Sequence, residues 1–149
     1  MSAKGLGYKL WLWLYCGDHD VLTVHLDGYL TCLVDTYQEY GGPALDKEVI
    51  RVHFVLTALE QMFGLISAVP QIYRMCPKKE FATIKDRWDP RVGENIQGQS
   101  TLRLYIHVMN SIVRMIEEWK ADEMVQKWVT DWCAGFNVPP KSEAVIRGE

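Results

Sequence analysis

Asp27 and Asp35, with His25 two residues before the first, come nearest to chemistry by type and spacing in this 149-residue chain. A carboxylate behind a His-x-Asp step can orient the proton of an attacking hydroxyl, and a later Asp can hold magnesium against nucleotide phosphates. The reaction they suggest is phosphoryl transfer. That reaction wants an Asn as a further oxygen ligand five residues after the first Asp, where this chain has Cys32. A thiol is a poor ligand for a hard cation. Only Leu33 and Val34 separate Cys32 from Asp35, too few for a hairpin to turn two ligands toward one ion.

The elements that must carry these side chains explain the spacing better. Leu22, Leu26, Tyr29, Leu30, Leu33 and Tyr37 recur at three- and four-residue steps, which predicts an amphipathic helix from an N-cap at Asp18 to about Glu39. Gly41-Gly42-Pro43 stops it. On that helix Asp27 and Asp35 are solvated carboxylates facing away from the stripe. Phosphate-clamping elements are absent as well: there is no Walker motif and no glycine-rich loop followed by a strand lysine. No catalytic residue and no metal ligand is assigned, and the residues that would bind a substrate are not identified.

Other candidates have ordinary structural readings. Asp18-His19-Asp20 with His25 is the densest group of potential metal ligands, yet acids at a helix start meet its unpaired N–H groups. His53 and Glu60 share a helical face and form an acid/base pair only if a pocket opens there. His107 is a lone helical histidine. The six tryptophans fall mostly on apolar stripes and read as core, except Trp88 in the polar turn Asp86-Arg-Trp-Asp-Pro90, which suits an interface or stacking role.

The remaining segments are also helical. Tyr8 to Cys16 is an apolar run that periodicity leaves open between strand and buried helix, with both faces wanting burial. Asp46 caps a helix with the stripe Val49, Val52, Leu56, Leu59, Phe63 and Ile66, ending at Val69-Pro70. Short helical turns follow at Gln71–Met75 and Lys79–Lys85. Leu102, Tyr105, Ile106, Met109, Ile112, Val113, Ile116 and Trp119 form a long apolar face, and Met124 to Phe136 continues at helical spacing. The expectation is an all-α helical bundle: one domain over 1–138, then a flexible tail over 139–149.

At this length one domain buries roughly 70% of its unfolded surface, and 48% apolar with 23% charged residues excludes wholesale disorder. A net charge of -3 with scattered bases gives no nucleic-acid footprint. Four cysteines without a CxxC pair suit a reducing compartment. The apolar run at Leu10–Cys16 is too short to cross a bilayer and the start lacks a signal peptide's arrangement, so the expectation is cytoplasmic, with no membrane and no nucleic-acid partner.

Beyond these patterns, Tyr37-Gln-Glu-Tyr-Gly-Gly-Pro-Ala-Leu-Asp46, the long helix from Val52 to Ser67, Pro70-Gln-Ile-Tyr-Arg74 and Asp86–Pro90 carry a resemblance. They resemble the helical C-terminal part of the aminoglycoside/choline-kinase-like phosphotransferases, downstream of the metal Asp. Ser2-Ala-Lys-Gly-Leu6 resembles the remains of a turn that precedes those helices. The resemblance implies the helical C-terminal half of a protein-kinase-like C-lobe, one wall of a small-molecule acceptor cleft. It implies a chain lacking the catalytic loop, hence inactive alone, with ATP and magnesium belonging to the complete enzyme and no cofactor bound here. Its partner would be a missing N-terminal kinase lobe or a second copy, giving exposed apolar surface around Leu10 to Tyr15. The alternative is a self-contained helical bundle that binds a small ligand or a protein.

With no phosphate or magnesium site in the sequence, Mg-ATP leaves the thermal midpoint unchanged, because only a ligand of the native state shifts it. A dose-dependent rise in a melting experiment would overturn the helical reading of the 25–43 strip.

Overall fold

The computed structural model describes residues 3–85, 89–93, 95–96 and 100–136. The architecture is an all-α bundle. Its helices are α1 (Ala3–Leu14), α2 (His19–Glu39), α3 (Lys47–Ser67), α4 (Val69–Met75), α5 (Lys78–Phe81), α6 (Leu102–Glu118) and α7 (Ala121–Gly135). Between α5 and α6 lie a 3-10 turn at Pro90–Gly93 and a minimal antiparallel ladder, β1 (Asn95–Ile96) with β2 (Ser100–Thr101).

Local chemistry sets the ends of these helices. Asp46 caps α3 as its spacing predicts: one carboxylate oxygen accepts from the N–H groups of Glu48 and Val49 at 2.8 and 3.2 Å. Such a cap is worth about 1 kcal/mol. Asp18 stands at the N-cap of α2 but its side chain makes no capping hydrogen bond. The Gly-Gly-Pro stop operates through Gly41, whose φ of 80° an L side chain resists, with Gly41 and Gly42 donating back to the carbonyls of Gln38 and Tyr37. Lys120 takes the left-handed conformation (φ 53°) and turns the chain from α6 into α7.

The core is built on α3, which touches α1, α2, α4, α6 and α7. Leu6, Leu10 and Trp11 of α1 meet Ile50, Phe54, Val55 and Ala58 of α3 in one cluster, with Leu22, Leu26 and Leu30 of α2 and Val108, Ile112 and Met115 of α6. The Trp11 and Phe54 rings meet edge-on at 5.5 Å. A smaller cluster of Ile72, Cys76 and Leu102, joined by Phe81 and Ile84, seats α4 and α5 on the first turns of α6. Within the described residues α3 is the one helix long and apolar enough to cross a membrane, and the core holds its first half.

Several sequence expectations change here. Residues 8–14 are helix, and so are Ala3–Leu6, which the sequence suggests as a turn. Only one face of α1 is covered: Leu12 and Trp13 are exposed, Trp13 by 70%. On α3 the stripe is displaced. Val49, Val52, Leu56 and Leu59 are half-buried, while Phe63 and Ile66 are exposed. α3 is apolar on more than one side, so its own pattern does not choose a face; the close approach of α1 does. On α6 the buried set shifts in the same way to Leu102, Val108, Ser111, Ile112 and Met115, leaving Val113 exposed. The tryptophans are less buried than their stripes suggest: of those described only Trp11 is buried, and Trp132 is 49% exposed. Trp88 and the 139–149 tail lie outside the described residues.

Gly7 allows α1 to reach α3. A Cβ there would lie 2.6 Å from His53 Cβ, 2.8 Å from its carbonyl carbon and 2.9 Å from Phe54 N. Gly7→Ala therefore forces two backbones apart and lowers stability by about 1–3 kcal/mol. Gly28→Ala, at an open position within α2 with nothing in 4 Å, raises stability by about 0.5–1 kcal/mol. Urea midpoints measure both, and equal signs would refute this account of the α1–α3 contact.

Candidate functional site

A half-open cleft of about 950 Å³ lies among the described residues. Its walls are the start of α2, the inner side of α6 and the α5 corner, with Asp18, His19, Asp20, Lys85, Arg103 and His107 among its polar groups. Phe81, Ile84, Val92, Leu104 and Ile106 supply apolar lining. The volume suits a small molecule. Asn110 and Ser111 add an amide and a hydroxyl along α6.

One network fixes the cleft's geometry. His19 is buried, and its Nε2 bonds Glu118 Oε2 at 3.0 Å, while its ring stacks on Trp119 at 5.1 Å. Because a carboxylate only accepts, Nε2 carries the proton. Its Nδ1 is buried with no hydrogen-bond partner. Arg114 bridges the same two helices: Nη2 donates to Asp20 Oδ1 at 2.6 Å and Nε to Glu118 Oε1 at 2.7 Å. Trp119 Nε1 donates to Thr23 Oγ1 at 3.0 Å. His107 Nε2 donates to the Gly17 carbonyl at 3.1 Å, pinning the loop before α2 to α6.

Charge follows from this geometry. Hydrogen bonding by Arg114 pulls the Asp20 and Glu118 carboxyls below their usual range, helped at Glu118 by His19, and these two acids raise the Arg114 guanidinium in turn. At the neighbouring 3-10 turn Arg91 holds Asp89 down to about 2. Arg114 is thus committed to holding helices together.

The structure disperses most residues singled out in the sequence. Asp27 faces solvent and accepts from Lys47 at 3.0 Å and Arg51 at 2.7 Å, which lowers its pKa, Lys47 first. Asp35 and Cys32 are exposed two turns along the same helix. These side chains do not fit a magnesium site, since Asp27 is neutralised by two cations and no loop turns Asp35 toward it. His25 is exposed, its ring 6.3 Å from Tyr29. His53 packs edge-on to Trp128 at 5.8 Å, Glu60 is exposed, and neither lines the cleft. Among the described residues no three His, Cys, Asp or Glu side chains converge as a metal would need.

The triplet Asp18-His19-Asp20 does reach the cleft, for a different reason than capping alone. Sequence reasoning missed its partners Arg114 and Glu118. Their i,i+4 spacing was the available signal, but nothing local links them to a helix 94 residues earlier.

Comparisons with family models, curated proteins and solved structures find no match to this chain.

The pH dependence of the Arg114 bridge has a definite sign. Both carboxyls have folded pKa values below their unfolded ones, so their stabilisation is present above about pH 5 and fades as pH falls through the lowered values. Arg114→Met is therefore less stable than the parent at neutral pH, and the gap narrows toward pH 2. Denaturant titrations across that range check it; a gap independent of pH would mean that the arginine acts through packing alone.

Proposed function

We propose that this chain is the helical substrate-cleft portion of an aminoglycoside/choline-kinase-like small-molecule phosphotransferase, cytoplasmic and inactive by itself. The observation that supports the reading is the cleft between the α2 start and α6. It is the size of a small hydroxylated molecule. Its rim carries groups of both signs, with amide, hydroxyl and imidazole along one wall, as an acceptor holding several polar groups requires. The order of the long helices and the Gly-Gly-Pro turn is also that of the resemblance.

On this reading the chain's own residues bind and orient the acceptor. Asp18 and Asp20 face a ligand ammonium, with Asp20 partly spent on Arg114, while Asn110 and Ser111 meet hydroxyls. The proton-accepting Asp, the nucleotide and its magnesium belong to another segment or chain. Four free cysteines fit the reducing compartment.

The second reading, a self-contained bundle that binds a small ligand, is favoured by the same cleft and parts from the first at catalysis. Calorimetry with choline and with an aminoglycoside tests the cleft. Binding of at least one is expected, weakened about tenfold or more in Asp18→Asn, the loss typical of a charged hydrogen bond. The coding sequence upstream separates the two readings: the first requires an in-frame His-x-Asp loop ending in Asn. Failure of both cations to bind overturns the acceptor role.

A further inference from the structure

We infer that the cleft takes a zwitterion, a small molecule with an ammonium at one end and an anion, carboxylate or phosphate, at the other. The inference deepens the proposed acceptor role and rests on the cleft being a ligand site. That role uses the acidic end of the cleft; the opposite end is cationic.

Packing sets the two ends apart. Ile84 joins Leu102, Tyr105 and Ile106 in the cluster at the start of α6, which brings Lys85 to the first turns of that helix, where Arg103 also stands. Both cations are exposed and both line the cleft. Arg114 lies about 16 Å further along α6, and there it bonds Asp20.

Each end keeps its sign. Asp20 and Glu118 are two carboxylates sharing the Arg114 guanidinium, so negative charge is left over, and Asp18 adds to it. At the other end Lys85 has no ion pair among the described residues, and Arg103 contributes a second positive charge. Of the acids near Lys85 in sequence, Glu80 does not line the cleft, Asp89 is taken by Arg91, and Asp86 lies outside the described residues.

Between the ends, buried polar groups lack partners. Ser111 is 2% exposed and lines the cleft, and its hydroxyl makes no hydrogen bond among the described residues. Buried hydroxyls are ordinarily paired, so this one calls for a partner from outside the protein. His19, also buried, lines the same cleft with its Nδ1 unpartnered. Phe81, Ile84 and Ile106 on the wall suit a short run of methylenes. Opposite charges at the two ends select a ligand with both signs, because either charge alone leaves one end unmet.

Calorimetry with chains of matched length tests it. ε-Aminocaproate and aminohexyl phosphate carry both ends and differ in the anion; hexylamine and hexanoate carry one end each. At least one zwitterion is expected to bind about tenfold or more tighter than hexylamine and hexanoate. Lys85→Gln with Arg103→Gln brings that zwitterion down to the level of hexylamine. Lys85→Glu with Arg103→Glu turns the preference towards a diamine of the same length, an outcome that misfolding does not imitate. Hexylamine binding as tightly as both zwitterions overturns the inference, and so does zwitterion binding that the double glutamine variant leaves unchanged. In either case choline binding keeps the acceptor role standing. Zwitterion binding without choline or aminoglycoside binding overturns the acceptor role and keeps the inference. Binding of none of these probes overturns both.

Discussion

The close approach of α1 to α3 at Gly7 is the contact on which the other helices depend. Helix axes come this near only where one side carries no Cβ, and the atoms opposite Gly7 are the backbone and Cβ of His53 and Phe54. With the two backbones in contact, Leu6, Leu10 and Trp11 reach Ile50, Phe54, Val55 and Ala58. That choice of face on α3 leaves its other sides for α2, α6 and α7. It also determines what α3 does not bury: past Leu59 only Met62 and Leu65 pack against the core, and Phe63 and Ile66 are exposed.

The cleft is a consequence of the same packing. α2 and α6 both rest on α3 and meet at their ends, where His19, Glu118, Arg114 and Asp20 interlock. Each group there satisfies another, so the arginine contributes little as a free cation to a ligand and much to the spacing of the walls. His19 has a dual position: one nitrogen bonds Glu118 while the other is buried without a partner. A surface ion pair adds little to stability, but a network anchored on a buried imidazole and a stacked indole restricts how the two helices slide.

Much of the fold was legible in local sequence. The end of α2 and both ends of α3 follow from Gly41-Gly42-Pro43, Asp46 and Val69-Pro70, because caps and breakers act on their own few residues; Asp18 marks the start of α2 by position, without a capping hydrogen bond. The helical nature of the His25–Pro43 strip was legible too, since a stripe at three- and four-residue steps cannot be shared with a catalytic loop. The buried faces were less legible. Val49, Val52, Phe63 and Ile66 form as good a stripe as Ile50, Phe54, Val55 and Ala58, and a helix that is apolar on several sides carries no information about its neighbour's position. The cleft was barely legible: Asp18, His19 and Asp20 stood out as a cluster, but their partners lie on α6, far away in sequence.

The sequence by itself determined that this chain is helical, where most helices begin and end, and that Asp27, Cys32 and Asp35 share one helix. Those are local properties, governed by backbone hydrogen bonding, caps and side-chain period. Tertiary structure alone decided which face of α3 is core, that Asp27 answers to Lys47 and Arg51, and that α2 and α6 enclose a cleft held by Arg114. It also left Phe63 and Ile66, at the end of α3, exposed. Each of these depends on which surfaces meet, and at Gly7 two helix backbones touch.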